Sequence, residues 1–346
     1  MGTAMAWPLS DNGHRVNLVG THLDNEIIQS CKETGYHPRL ERQLPEGVRP
    51  LHVEEIEGAL RQADFIISGV NSQGVRWLGQ TIGPYLQPGQ SILAVTKGLE
   101  AGVEGEVRIL PDVLYAELPQ GIRDQVSLAA IGGPCIAGEL AGRRQTWVVF
   151  ASRRLEIAEA LAGQLRTGYY HVTTTGDLLS LEVCAALKNA YALAVGFAFG
   201  WLDQQGGVDG VGAYTHNLEA AIFAAAVTEM ERFLKMLEAD ASFASGLPGA
   251  GDLFVTCQGG RSTRAGRLFG AGNSQNEVRQ QMPGVTLESV DLVQEIGKAL
   301  PAIADRHQVS RKNFPLMSAL FEVIVNDWSP QVLFEAVYPE NQPARP

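Results

Sequence analysis

Two lysines stand out because the sequence around them is apolar. Lys97 follows the run S-I-L-A-V-T, and Lys188 lies within L-E-V-C-A-A-L-K-N-A-Y-A-L. Only six of the 27 basic residues are lysine, so an ordinary basic surface of this protein would be built from arginine. An ammonium group is a compact donor that can release its proton when it is desolvated, whereas a guanidinium stays protonated. We therefore predict proton transfer to or from an oxygen atom at Lys188. The alternative is a lysine whose stem is buried along a core helix and whose charged end reaches water.

The first half of the chain supplies strands and helices that would position Lys97. Short apolar runs bounded by turns or polar residues predict strands. The predicted strands cover residues 15–19, 63–70, 91–95, 126–131 and 146–151, and a helix is predicted over 56–62. Strands that alternate with helices in this way indicate a mostly parallel, doubly wound α/β sheet with helices on both faces.

The second half has a helical period and would position Lys188. Apolar residues recur at helical spacing over 178–199, 217–239, 263–271, 287–307 and 313–326, without convincing strands. We therefore predict an α/β domain over residues 1–178 and an all-α domain over residues 179–338. The polar, proline-rich run P-E-N-Q-P-A-R-P predicts a disordered tail over residues 339–346.

Composition limits the class of protein. The chain has 346 residues, of which 45% are hydrophobic, and a net charge of -11. This charge disfavours binding to nucleic acid or to an anionic membrane, so an anionic ligand needs a local basic cluster. We find no 18-residue apolar span, no signal peptide and no metal-ligand spacing among the seven histidines. The four cysteines at positions 31, 135, 184 and 257 form no C-x-x-C pair, which favours a cytoplasmic location.

The amino terminus departs from the usual start of a doubly wound domain. Such a domain begins with an apolar strand that leads into G-x-G-x-x-G, where the glycines allow close approach to a pyrophosphate. This chain begins M-G-T-A-M-A, followed by an N-G-H turn and the strand predicted at residues 15–19. We expect Gly2 to be the last glycine of the fingerprint, with the first strand and the first two glycines missing. A misassigned start codon would give the same short terminus.

Four ordered motifs together resemble a known family. They are V-T-K-G-L-E (95–100), I-G-G-P-C-I-A-G-E-L (131–140), A-L-K-N-A (186–190) and G-L-P-G-A-G-D-L-F-V-T-C-Q-G-G-R-S (246–262). In order and spacing they resemble the NAD(P)-dependent glycerol-3-phosphate dehydrogenases, and the similarity covers nearly the whole chain. The resemblance implies a Rossmann-like first domain, a helical second domain, and interconversion of dihydroxyacetone phosphate and sn-glycerol 3-phosphate.

The resemblance also implies catalytic roles. Lys188 matches the residue that acts as acid or base, and Lys97 would lie beside it and bind or polarise the substrate. Asp252 and Thr256 match an active-site aspartate and threonine that hold the lysine and the substrate hydroxyls, and Asn189 would bind the hydroxyl or carbonyl side. The alternative is that Asp252 caps a helix and Thr256 is an ordinary packed residue.

Two further positions are implied to bind phosphate. Arg261 matches the family's phosphate-binding arginine, because a guanidinium can bind phosphate through two hydrogen bonds. Ser262 stands where the family usually has asparagine, so the side chain that makes one phosphate or cofactor contact would be shorter. The alternative for Arg261 is a surface arginine in the loop Q-G-G-R-S-T-R.

The cofactor is expected to be NAD or NADP. The expected cofactor-binding residues are Gly2, Ser72, Gln73, Lys97, Ala137 and Arg261. An acidic residue at the end of the second strand would select NAD, but the sequence has Gly20-Thr21-His22 there. NAD is therefore only the default. The expected partners are a small phosphorylated substrate and, by analogy with the family, a second copy of the chain in a homodimer.

Several substitutions around the matched residues keep other interpretations open. The departures from the family pattern are Asn71 for proline, Cys135 for serine or threonine, Gly138 for lysine, Glu219 for lysine, Ala225 for arginine and Pro283 for glutamate. Such changes can preserve hydride transfer and alter which phosphate fits. One alternative is a superfamily dehydrogenase for another hydroxy acid or sugar phosphate. Another is a non-catalytic descendant.

Overall fold

The computed structural model describes residues 1–337. Contacts between residues divide the chain into two compact units. The first contains Met1–Lys97 and Ile109–Glu182, and the second contains Gly98–Arg108 and the chain from Val183 onward. The boundary placed after residue 178 by the sequence stays a prediction. The predicted disordered tail at residues 339–346 lies outside the described residues.

Strands are concentrated in the first unit. In chain order they are β1 (Val16–Val19), β2 (Tyr36–His37), β3 (Arg42–Gln43), β4 (Val48–Leu51), β5 (Phe65–Ser68), β6 (Ser91–Ala94), β7 (Leu99–Ala101), β8 (Val107–Ile109), β9 (Ser127–Gly132), β10 (Thr146–Ala151) and β11 (Tyr170–Thr175). Five of them form a sheet in the order β11-β10-β9-β6-β5. The pairs β5–β6, β6–β9 and β10–β11 are parallel, and β9–β10 is antiparallel. The predicted mostly parallel sheet is confirmed.

The register of the central strands sets one edge of the sheet. Ser68 lies opposite Ala94, and Ala94 lies opposite Ala130. Because β5, β6 and β9 are parallel, their carboxyl ends point to this same edge. The chain that leaves this edge carries four of the predicted cofactor residues, which are Ser72, Gln73, Lys97 and Ala137.

Both faces of this sheet are covered. The helices of the first unit are α1 (Ala6–Asp11), α2 (Asn25–Thr34), α3 (Ile56–Arg61), α4 (Val75–Ile82), α5 (Leu110–Glu117), α6 (Gln120–Arg123), α7 (Ala137–Ala141) and α8 (Leu155–Leu165). On β6, Leu93 belongs to one apolar cluster with α1, α7 and α8, and Ile92 belongs to another with α4 and α5. Successive strand residues point to opposite faces, so an all-apolar strand needs helices on both sides.

Some elements differ from the sequence prediction. The threonine-rich strand β11 was not predicted, because Y-H-V-T-T-T lacks a continuous apolar run. A 3-10 helix at Gly2–Met5 and then α1 precede β1, which pairs in parallel with β4 in a separate two-stranded sheet. Gly2 lies against Gly69, where an added methyl group would be 3.0 Å from the Gly69 Cα.

The second unit is helical, as predicted. Its helices are α9 (Leu178–Gln204), α10 (His216–Met236), α11 (Asp252–Cys257), α12 (Arg261–Gly270), α13 (Gln275–Gln281), α14 (Glu288–Arg306), α15 (Pro315–Asn326) and α16 (Gln331–Val337). Helix α9 begins in the first unit and continues into the second. The short ribbon β7–β8 packs on α14, where the Ala101 amide donates to Glu295 Oε1 at 2.9 Å. This contact ties residues 98–108 to the second unit.

Helix α9 corrects the expectation that no apolar span is long enough to cross a membrane. Among the described residues it is the one helix that passes a test of length and composition, with a mean hydropathy of 1.4. However, 89% of that span is buried inside the protein. The core helix of a folded protein passes the same test, so α9 is read as a core helix.

Candidate active site

A buried lysine forms the centre of the site in the second unit. Lys188 lies in α9 and is only 6% exposed. Its Nζ donates to Asp252 Oδ1 at 2.9 Å and to Thr256 Oγ1 at 2.6 Å. The structure therefore brings together three of the predicted site residues. Asp252 and Thr256 lie 64 and 68 positions after Lys188 in the sequence. The alternative interpretation of Lys188, in which its charged end reaches water, does not describe this arrangement.

Local sequence explains how the two partners of Lys188 come to share a face. Asp252 is the first residue of α11, and Thr256 follows one turn later, so both side chains project from the same side of this helix. A π-helical turn, Leu247–Gly251, precedes α11. An added methyl group at Gly249 would lie 2.2 Å from the carbonyl oxygen of Ala244, so the turn requires glycine there. The glycine-rich motif thus fixes where α11 begins.

The electrostatics of this cluster are balanced. Asp252 is 2% exposed, so its carboxylate and the Lys188 ammonium form a buried ion pair. Each charge compensates for the other's loss of water, and removal of one leaves the other uncompensated. The Thr256 hydroxyl accepts from Lys188 and donates to the carbonyl oxygen of Asp252 at 2.7 Å, which fixes its own orientation. The cluster therefore holds an ammonium group in one position, as proton transfer requires.

The neighbouring predicted residues occupy the same region of the second unit. Asn189 follows Lys188 on α9 and is half-buried. Ser262 is buried in the first turn of α12. The next residue, Thr263, donates through its hydroxyl to the carbonyl oxygen of Thr256 at 2.9 Å, which ties the start of α12 to α11.

Arg261 begins α12 and is largely exposed. Its guanidinium donates to the carbonyl oxygen of Thr286 and to Glu288 Oε2, both at 3.4 Å. The side chain is 59% exposed, while that of Glu288 is 22% exposed. An accessible guanidinium held by a long ion pair can exchange its carboxylate partner for a phosphate.

Four of the predicted cofactor residues, Ser72, Gln73, Lys97 and Ala137, lie in the first unit near the carboxyl edge of the sheet. Gly2 lies in the 3-10 helix at the start of the same unit, whereas Arg261 lies in the second unit. Ser72 and Gln73 form a 3-10 turn after β5. Asn71, which replaces the family's proline, caps that turn by accepting from the Gly74 amide at 2.9 Å. Ala137 is the first residue of α7, in the loop region that follows β9.

These loops suit a dinucleotide. Gly133, just after β9, has φ 120°, a backbone conformation that favours glycine. Gly2 and Gly69 meet backbone to backbone, as a tight phosphate-binding region requires. Lys97 is half-buried three residues after β6. Its position beside Lys188 stays a prediction.

Two buried acids were missed by the sequence reasoning. Glu182 and Glu229 are both buried, and burial raises the pKa of Glu182 to about 8 and that of Glu229 to about 7. A glutamate inside an apolar helical run, as in L-E-V-C-A-A, is the signal that was available. Within residues 1–337, no group of three or more His, Cys, Asp and Glu side chains is arranged to hold a metal ion.

Comparison with known proteins places this geometry in a family. The model for the NAD-dependent glycerol-3-phosphate dehydrogenase N-terminus matches residues 1–158, and the model for the C-terminus matches residues 177–335. The NADP(+)-dependent glycerol-3-phosphate dehydrogenase of Archaeoglobus fulgidus is 34% identical over 282 residues, which are 82% of this chain and 81% of that protein. A glycerol-3-phosphate dehydrogenase (NAD(P)+) of Bacillus cereus is 31% identical over 330 residues, which are 94% of this chain and 88% of that protein.

Solved structures agree. The crystal structure of glycerol-3-phosphate dehydrogenase from Coxiella burnetii superimposes with a TM-score of 0.80 at 25% identity and covers 99% of this chain and 95% of its own. The enzyme from Saccharomyces cerevisiae gives a TM-score of 0.78 at 21% identity over 97% of this chain and 96% of its own, which shows the shared fold. This chain therefore belongs to the NAD-dependent glycerol-3-phosphate dehydrogenase family.

Proposed function

We propose that Lys188 transfers the proton when this chain interconverts dihydroxyacetone phosphate and sn-glycerol 3-phosphate. The chain is an NAD(P)-dependent oxidoreductase of the glycerol-3-phosphate dehydrogenase family, and NAD or NADP is its cofactor. The observation that carries the residue assignment is the buried Lys188 ammonium, held by Asp252 and Thr256. A lysine fixed in this way is placed for proton transfer and not for solubility.

The proton and the hydride move in a defined relation. NAD(P)H, when bound, supplies the hydride that forms the new C–H bond at C2 of dihydroxyacetone phosphate. As this carbon is reduced, its oxygen gains negative charge and takes a proton from the Lys188 ammonium, which becomes a neutral amine. In the opposite direction the neutral amine would take the hydroxyl proton of glycerol 3-phosphate, and the oxidised cofactor would accept the hydride from C2. Lys188 is thus the acid in one direction and the base in the other.

The partners of Lys188 position it and the substrate. The Asp252 carboxylate stabilises the ammonium state, and Thr256 fixes the direction of Nζ through a hydroxyl that itself donates to the Asp252 carbonyl. Asn189 follows on the same helix, where its amide would bind the hydroxyl or carbonyl oxygen of the substrate. Arg261, with Ser262 beside it, would bind the phosphate group.

The loops of the first unit would hold the cofactor. Ser72 and Gln73 in the capped turn after β5, Ala137 at the start of α7 and Gly2 at its contact with Gly69 support this assignment. Lys97 would bind the substrate or polarise its carbonyl group, and Arg261 would also contact the cofactor.

We further propose a cytoplasmic homodimer. The four cysteines at positions 31, 135, 184 and 257 form no C-x-x-C pair, which suits a reducing compartment. The homodimer rests on analogy with the family. Sedimentation of the purified chain at several concentrations tests it, because a monomer at all concentrations would contradict it.

The proton-transfer role is tested by replacing Lys188. We expect Lys188→Ala to reduce kcat for dihydroxyacetone phosphate by at least about 10³-fold while the affinity for NADH or NADPH, measured by nicotinamide fluorescence, stays within about twofold. Lys235 is an exposed lysine paired with Glu231 in the same unit, so Lys235→Ala is the matched control and should keep full activity. Turnover by Lys188→Ala at the wild-type rate would refute the role.

A further inference from the structure

Glu182 is an unusual residue for a protein interior. It lies in the amino-terminal part of α9, within the first unit, and has no exposed surface. Among the described residues, neither of its carboxyl oxygens has a hydrogen-bond partner. An ionised carboxylate in such a place would lose its hydration without compensation, so the group takes up a proton and is neutral.

The fold gains nothing from this acid. A buried polar group without a hydrogen-bond partner destabilises the folded state, and an apolar side chain of similar size would fill the space at lower cost. A local feature that works against stability is expected at functional positions.

The packing of α9 places Glu182 near the carboxyl edge of the sheet. The preceding residue, Leu181, packs on Gly132 at the end of β9, where an added methyl group would lie 2.8 Å from its Cγ. Strand β6 is the parallel neighbour of β9. Lys97 leaves the same edge three residues after β6. Glu182 and Lys97 therefore both lie towards the carboxyl edge of the sheet in the first unit.

Charges nearby agree with this placement. The Lys97 charge acts on the Glu182 carboxyl and lowers its pKa, while the Asp112 charge raises it. Asp112 is itself held by Arg153 through two hydrogen bonds of 2.6 and 2.9 Å. Burial outweighs both influences and leaves the pKa of Glu182 at about 8.

We propose that Glu182 is a positioning residue for Lys97. Glu182 stays neutral, so that the Lys97 ammonium keeps its full charge for an anionic substrate. This inference rests on the proposed role of Lys97 in substrate binding. An ionised Glu182 would compete with the substrate for the Lys97 ammonium. Affinity for dihydroxyacetone phosphate then falls as the pH rises through the ionisation of Glu182.

Kinetics of Glu182→Gln test the proposal. The amide keeps the size of the side chain and cannot ionise. With saturating reduced cofactor, we expect the KM of the wild type for dihydroxyacetone phosphate to rise at least about threefold between about pH 7 and pH 9.5, and that of Glu182→Gln to rise by less than half as much. At pH 7 the two KM values agree within about twofold. An equal alkaline rise in both would overturn the proposal, and so would a KM about tenfold higher in Glu182→Gln at pH 7.

A second variant shifts the effect without touching Glu182. Asp112→Asn removes the negative charge that raises the pKa of Glu182, so the alkaline rise in KM begins at lower pH than in the wild type. An unchanged or higher starting pH would contradict the assignment.

Infrared difference spectroscopy separates this proposal from the proposed activity. The wild type minus Glu182→Gln should show the carbonyl band of a protonated carboxyl group at about pH 7, lost only in alkaline solution. This band does not depend on turnover. Its absence at neutral pH would overturn the proposal, whereas a band without activity on dihydroxyacetone phosphate would count against the proposed function alone.

Discussion

Gly196 of α9 and Gly266 of α12 meet backbone to backbone. A methyl group added at Gly196 would lie 3.0 Å from the Gly266 Cα and 2.3 Å from the carbonyl oxygen of Thr263. One added at Gly266 would lie 2.0 Å from the carbonyl oxygen of Leu193. Helix α9 carries Lys188, and α12 begins with Arg261, so this contact sets the spacing between the two helices that carry these residues.

Replacing either glycine should therefore harm both stability and activity. We expect Gly196→Ala to lower the free energy of unfolding by about 1–3 kcal/mol, since the helices must move apart. The KM for dihydroxyacetone phosphate should rise as Arg261 shifts. The matched control is Gly163→Ala in α8, where an added methyl group has no atom within 4 Å. That change should be neutral or slightly stabilising in urea denaturation; equal losses in both variants would contradict the role of the contact.

Asp252 and Lys188 should behave as one catalytic unit. We expect Asp252→Asn to reduce kcat by about 10²- to 10³-fold, because the ammonium loses its charged partner and its fixed position. Thr256→Val should cost about tenfold, since one neutral hydrogen-bond partner is lost. The double variant Lys188→Ala/Asp252→Asn should be no slower than Lys188→Ala within about threefold. If steady-state assays show that the fold-losses of the two single variants multiply in the double variant, Asp252 acts independently of the lysine.

Arg261 should govern recognition of phosphate. We expect Arg261→Ala to raise the KM for dihydroxyacetone phosphate at least about tenfold and to change that for unphosphorylated dihydroxyacetone much less. Equal losses on both substrates would remove the phosphate role.

Glu288 should oppose phosphate binding, because its carboxylate holds the same guanidinium. We expect Glu288→Gln to lower the KM for dihydroxyacetone phosphate by up to about threefold, the range of an exposed ion pair. Asp291 lies one turn further along α14 and pairs with Arg279 at the same distance of 3.4 Å. Asp291→Asn is therefore the matched control, and a similar decrease in its KM would indicate a general charge effect.

Glu229 should make stability depend on pH. Its carboxyl is fully buried and accepts from the Tyr191 hydroxyl at 2.8 Å and from the amides of Leu316 and Met317 at 2.6 and 2.9 Å, where α15 begins. Burial outweighs these hydrogen bonds and raises the pKa to about 7 from an ordinary value of 4.5. The folded state therefore binds the proton more tightly than the unfolded state.

The sign of the effect follows from this shift. The stability that Glu229 contributes is largest below about pH 4.5 and falls as the pH rises through about 7. Glu229→Gln should remove this part of the dependence of the free energy of unfolding on pH. It should also cost about 1–3 kcal/mol, because the amide nitrogen would face a donor. Urea denaturation at several pH values measures both; a difference from wild type that does not vary between about pH 5 and 8 would refute the raised pKa.

Much of the architecture could be predicted from the chain. The apolar runs of β6 and β10 and the helical period of α9, α10 and α14 were found within a few residues, because these patterns are local and strongly periodic. β11 was missed because threonine is polar, and its strand conformation is fixed by parallel pairing with β10.

The sequence by itself determined the fold class and the family, since hydrophobic period and motifs are written in residues close along the chain. Tertiary structure decided which side chains meet. Asp252 lies 64 positions from Lys188, and their 2.9 Å contact exists only because α9 and α11 pack together. Packing likewise pairs Arg261 with Glu288 and leaves the carboxyl oxygens of Glu182 without a hydrogen-bond partner among the described residues. Burial and charge neighbours arise from packing, and so the protonation state of each acid is set by the folded protein.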